Sequence, residues 1–211
     1  MFRFTAEGHR PPGTLEQNPV TTDQSKYRRR AAWSVILSII LGYDPSTLRE
    51  RVDLLEAGRR LEELGDLRSL SALNEKVALL RLIGRLDDAL VIANEALRQA
   101  RFTGDREQVL AARIRRAQVL QYQGKLDEAL IELSACVDNA HINEWMRLEA
   151  FALQCRGKVQ FDQRDFAPAL SDFTSAVFLR EKLGAKKDEV ESSLVAVAVV
   201  QSFLDEERRG G

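Results

Sequence analysis

Proline is scarce in this chain: five in 211 residues, with Pro11 and Pro12 both in the first dozen. Proline breaks helix interiors by removing an N–H and by steric clash. Its scarcity further on leaves long helices open, and the good helix formers Leu, Ala, Glu, Arg and Gln dominate there. Histidine is rarer still, His9 and His141, and the cysteines are Cys136 and Cys155. These four residues have no metal-ligand spacing, so no zinc or other metal site is expected. Two cysteines in a chain too long to need stapling suit a reducing, cytoplasmic setting, and a disulfide is not expected. The net charge is −1; with no global field, neither nucleic acid nor a membrane is expected as a partner. A catalytic inventory is missing too. The chain has no glycine-rich phosphate loop, no histidine near a Ser or Cys nucleophile and no acidic metal cluster, so neither an enzyme nor a cofactor is expected.

Long apolar runs are also missing, with one near case. The basic run "KYRRR" at 26–30 precedes "AAWSVILSIIL" at 31–41. As a helix these residues span about 17 Å, against about 30 Å of bilayer hydrocarbon. The run starts too far from Met1 for a secretory signal, and "GYDPS" after it offers no A-x-A cleavage site. A buried helix is the reading adopted here.

What the chain does have is repetition. Residues 84–90 read "GRLDDAL", 124–130 read "GKLDEAL" and 164–170 read "RDFAPAL". At this forty-residue period small residues fall on small ones: Ala72, Ala112 and Ala152; Ala89, Ala129 and Ala169; Ala96, Cys136 and Ala176. Large apolar residues coincide as well: Leu79, Val119 and Val159; Leu86, Leu126 and Phe166; Leu90, Leu130 and Leu170. A fixed period of this length marks a solenoid, whose units hide their apolar faces against each other. Each unit reads as two helices. In the middle one, 105–123 forms the first, Gly124 ends it, and Asp127 lies at the start of the second, where a carboxylate favours the positive dipole end.

These registered small residues resemble those of the tetratricopeptide repeat, and "GKVQFDQRDFAPALSDFTSAV" at 157–177 is the best match. Counting from Leu70, Leu110 and Ala150, the eighth place holds Val77, Ala117 and Gly157, and the family's other small places hold the alanine and cysteine sets above. The unit resembles the longer, forty-residue variety of that family. The resemblance implies an all-α, right-handed α-solenoid of antiparallel helix pairs. Three repeats are expected at 66–104, 105–143 and 144–184. A degenerate pair at 24–65 precedes them, with helices at 24–42 and 45–64 and "DPST" starting the second. A C-terminal helix at 186–207 follows, and 1–23 is expected to be a flexible arm.

The resemblance also implies a function: a non-catalytic adaptor or scaffold holding a peptide or partner helix in the concave groove lined by the first helices. By register the groove residues are Asn74, Arg81, Arg115, Gln118, Tyr122, Phe151, Gln154, Lys158 and Phe161, with Gln121 and Asp162 beside them. The alternatives are a regulatory subunit of a larger system or a scaffold that dimerises through the C-terminal helix. "LVAVAVVQSFL" at 194–204 is apolar on more than one face, and a solenoid end without a polar cap invites a second copy. The family's clamp for chaperone tails is absent, since its places hold Asn74, Ala78, Arg115, Phe151 and Cys155. Lys76, Arg116 and Arg156 stand forty apart; either they read an anion or each pairs with a neighbouring acid.

Overall fold

The computed structural model describes residues 39–210. It is almost wholly helical, with sequential helix–helix packing consistent with a helical repeat. A short hairpin, β1 (Ile40–Tyr43) and β2 (Glu50–Val52), comes first. Helix α1 (Leu54–Leu64) follows, capped by Asp53, whose Oδ1 accepts the Glu56 N–H at 3.0 Å. Three helix pairs come next: α2 (Leu70–Leu82) with α3 (Leu86–Thr103), α4 (Arg106–Tyr122) with α5 (Leu126–Ile142), and α6 (Met146–Asp162) with α7 (Phe166–Lys182). Helix α8 (Lys187–Gly210) closes the described chain. The first helices also pack side by side, α2 on α4 and α4 on α6. No helix among the described residues is long and apolar enough to cross a membrane.

The forty-residue register survives as equal burial. Ala89, Ala129 and Ala169 are fully buried, and so are Leu79, Val119 and Val159. Close helix approach at these places explains the alanines, because any larger side chain would push the backbones apart. Another pair of places trades volume. The eighth runs Val77, Ala117, Gly157 while the twenty-fourth runs Ala93, Leu133, Phe173, so one shrinks as the other grows. In the last repeat the trade is complete: a Cβ on Gly157 would lie 2.8 Å from Phe173 Cε1. Close packing at constant total volume is what a dense interior demands.

The polar register is equally regular. Arg116 pairs with Glu132 and also donates to Asn94 at 2.9 Å, while Arg156 pairs with Asp172 at 2.7 Å, each acid sixteen residues on. Lys76 meets Ile92 at the acid's place and donates instead to the Gly65 and Leu67 carbonyls at 2.6 and 2.9 Å. The basic ladder is therefore internal wiring. The paired acids act differently from plain caps: Asp87 and Asp127 accept Gln123 and Gln163 of the following repeat, at 3.0 and 2.9 Å. Each turn between paired helices needs one left-handed residue. Gly84 and Gly124 supply it in the first two repeats, and Arg164, at φ 63°, in the third.

The N-terminal expectation needs correction. The arm at 1–23 and most of the helix expected at 24–42 lie outside the described residues. Where that helix should end, the chain is strand, and 45–53 is not the start of a helix. Asp44, Pro45, Ser46 and Thr47 do begin one turn. The Asp44 Oδ1 accepts the Ser46 and Thr47 N–H groups at 2.8 and 3.0 Å, and its carbonyl accepts the Leu48 N–H at 2.8 Å. Leu48 then turns left-handed, at φ 53°, and the chain doubles back. The strands pair antiparallel, Tyr43 opposite Glu50 and Ile40 opposite Val52, with an irregularity between Ile40 and Gly42. At the base Ile39 is fully buried among Ala57, Leu64, Ala72 and Leu79. This small sheet lies outside the repeats and leaves their packing equivalent.

The terminal helix is also less bare than its sequence suggests. Ala196 and Val200 are buried with Phe161, Phe166, Ala169 and Phe173, and Phe203 stacks on Phe166 with ring centres 5.1 Å apart. Helix α7 and its neighbours cover most of the apolar surface on which the dimer expectation rested. Leu194 and Val195 remain exposed. Cys136 and Cys155 are buried free thiols, their pKa values pushed up by burial to about 11 and about 12.

Candidate functional site

The expected groove residues lie on α2, α4 and α6, and the hairpin sits against the C-terminal halves of those helices. Its central contact is Glu50. Three successive repeats each contribute one donor to that single carboxylate. Arg81 of α2 lies 3.2 Å from Oε2, Lys158 of α6 lies 2.9 Å from Oε1, and the Tyr122 hydroxyl of α4 donates to Oε2. The Glu50 and Arg81 side chains are 7% exposed and Lys158 is 10% exposed, so the cluster behaves as buried rather than surface chemistry.

Around this seat the hairpin makes a second set of contacts. Arg49 pairs with Asp162 at 2.7 Å, and Gln121 donates to the same Asp162 oxygen at 2.7 Å. The Tyr122 ring carries cations on the guanidinium groups of Arg49 and Arg81, 4.2 and 4.4 Å from its centre. Lys158 Nζ lies 5.2 Å from the Tyr43 ring. Leu48, only 2% exposed, belongs to the apolar cluster that holds Phe161, Phe166 and Phe173.

The electrostatics follow from burial and charge. Burial alone would raise the Glu50 pKa, but Lys158 and Arg81, with the Tyr122 hydrogen bond, outweigh it and hold the carboxyl well below its ordinary range. Burial would likewise lower the Lys158 pKa, and Glu50 more than offsets it, so that pKa is raised. Two buried cations thus face one carboxylate. Deeper on the same face, burial pulls Arg115 down to about 10.

Magnitudes show what holds the hairpin down. Burying a leucine is worth about 1.5–3 kcal/mol, and a non-glycine residue in the left-handed region costs about 1–3 kcal/mol. For Leu48 these nearly cancel. What the charged seat adds is selectivity: an occupant without the carboxylate would leave Arg81 and Lys158 buried and unpaired, at a cost of about 3–5 kcal/mol.

The expected site residues divide into three groups. Arg81, Tyr122 and Lys158 converge on Glu50. Gln154 and Phe161 turn inward: Gln154 Oε1 accepts from Ser193 of α8 at 2.5 Å, and Phe161 packs edge-on against Phe203 at 5.3 Å. For Phe161 this replaces the expected groove exposure, because the C-terminal helix lies where open groove was anticipated. Asn74, Arg115 and Phe151 occupy the N-terminal and middle turns, and Gln118 lies in the C-terminal half of α4, at the register place of Lys158. Arg115 donates to the Ala111 carbonyl at 2.9 Å and lies 5.6 Å from the Phe151 ring centre, and Asn74 Oδ1 is buried with no hydrogen-bond partner among the described residues. The sequence reading missed the hairpin contributors Tyr43, Leu48, Arg49 and Glu50. The available signal was "GYDPST" between "SII" and "ERV", turn residues flanked by strand formers. Compared with known proteins, the chain matches no family model and no curated sequence.

Proposed function

We propose that this chain is a tetratricopeptide-like, right-handed helical-repeat module that binds a peptide segment of another protein on the face of α2, α4 and α6. One observation carries this reading: three successive repeats converge on one extended-chain carboxylate, at Glu50. A surface that seats a strand-borne acid through Arg, Tyr and Lys has the chemistry of peptide recognition, with cations for charge and an aromatic ring for contact area. The partner is a protein or peptide, and the role is that of an adaptor or scaffold. The test is affinity capture from native extract with wild-type protein and folded Gln118→Ala and Phe151→Ala variants. Loss of the captured partner is the expected result, and undiminished capture by both variants counts against this face.

A further inference from the structure

We propose that the 40–52 hairpin is an in-cis competitor for this face, and that the true occupant is a peptide presenting a leucine-like side chain two residues before a carboxylate. The inference rests on the peptide-binding reading above and adds what is bound and how access is controlled. Leu48 and Glu50 supply the pattern. The first joins the buried apolar cluster that holds Phe161, Phe166 and Phe173; the second reaches Arg81, Tyr122 and Lys158. Charge argues for a carboxylate at the Glu50 place, because two buried cations meet one there, while Asp162 beside them takes the hairpin's Arg49.

The hairpin is built to be released. Its strands are short, Ile40–Tyr43 and Glu50–Val52, and its turn residues Pro45, Ser46 and Thr47 are exposed. Its tip holds Leu48 in a left-handed conformation that relaxes on undocking. At its base Ile39 and Val52 belong to a separate apolar cluster with α1 and α2, which can stay packed while the tip swings away. A tethered segment competes at high effective concentration. Apparent affinity for a partner is therefore reduced by the fraction of molecules with an open face.

The probe is a labelled peptide of residues 43–52, Tyr-Asp-Pro-Ser-Thr-Leu-Arg-Glu-Arg-Val. Its binding is titrated against full-length wild-type protein and the Leu48→Ala/Glu50→Ala double variant. The expected result is at least tenfold tighter binding to the double variant. At least fivefold of that affinity should be lost when the peptide carries Glu50→Gln or Leu48→Ala. Equal, weak binding to both proteins, or indifference to the peptide changes, overturns the inference. Should the double variant fail to fold, hydrogen exchange of the wild type decides. Faster exchange of the Asp44 and Leu48 amides than of the α4 and α6 interiors supports release, and exchange of all of them only with global unfolding overturns it. The two ideas fail separately. Capture that depends on Gln118 and Phe151 but ignores hairpin release sinks the competition alone, whereas capture indifferent to both removes the binding face itself.

Discussion

The three helix pairs and the hairpin obey different rules. In the pairs, side-chain partners recur at fixed short spacings: sixteen residues for Arg116–Glu132 and Arg156–Asp172, thirty-six for Gln123–Asp87 and Gln163–Asp127. In the hairpin no spacing recurs: Glu50 reaches Arg81, Tyr122 and Lys158 across 31, 72 and 108 residues, and Arg49 reaches Asp162 across 113. The body is thus a sum of neighbour interactions, while the hairpin docks as a unit on a surface that must already exist. Stability in one region should be separable from docking in the other.

Five substitutions test that separation. The largest effect belongs to Phe173→Ala, which empties the centre of the last repeat; a loss of about 3–5 kcal/mol is expected in chemical denaturation, with α6, α7 and α8 all losing protection. Glu50→Gln comes next. It leaves Arg81 and Lys158 buried against a neutral group, and up to about 3–5 kcal/mol of docking should disappear. Protease cleavage near 44–49 should rise sharply while helical circular dichroism holds, and equal loss in both readouts would erase the distinction between the regions. The same contact has a pH signature. Because the folded Glu50 pKa lies below its unfolded value, its contribution is full above the unfolded pKa, about 4.3, and is lost as pH falls through the folded one. Wild-type cleavage should therefore increase on acidification below about pH 4, and Glu50→Gln should flatten that rise.

A middle-sized effect sharpens the account of the body. Gly157→Ala gains helix propensity but drives a Cβ into the Phe173 ring, and a net cost of about 1–3 kcal/mol is expected. Adding Phe173→Leu recreates the Ala117 and Leu133 combination of the middle repeat. The double variant should be more stable than the sum of the singles, measured as a double-mutant cycle. The smallest effect is a gain: Arg164→Gly relieves the left-handed turn that Gly84 and Gly124 satisfy elsewhere. It also gives up the Arg164 contact with the Phe166 ring, 5.8 Å away, so a net stabilisation of at most about 1 kcal/mol is expected in thermal melting.

How legible each part was follows from the same contrast. The alanine places and the apolar registers could be read because each depends on residues nearby in sequence and appears three times. For Lys76, Arg116 and Arg156 the register left an anion and a neighbouring acid both open, and the structure gives the two arginines acids and Lys76 backbone carbonyls. At "DPST" the local signals for a helix start and for a one-turn hairpin bend are identical up to Thr47. What separates them is whether Leu48 gains more by leaving the turn, and that depends on Phe161, Phe166 and Phe173 far along the chain. Register also pointed to Arg81, Tyr122 and Lys158 as one face, but it could not say that Glu50 fills their centre. Phe161 was misjudged for a related reason, since only α8 lying across it turns a groove residue into core.

By itself the sequence determined the period, the pairing of helices and the inner face of each, because short-range periodic contacts carry that information in every repeat. The tertiary structure alone decided what lies on the face of α2, α4 and α6. Occupancy there is a competition between long-range charge pairing and the strain at Leu48, and no local stretch of residues encodes its outcome.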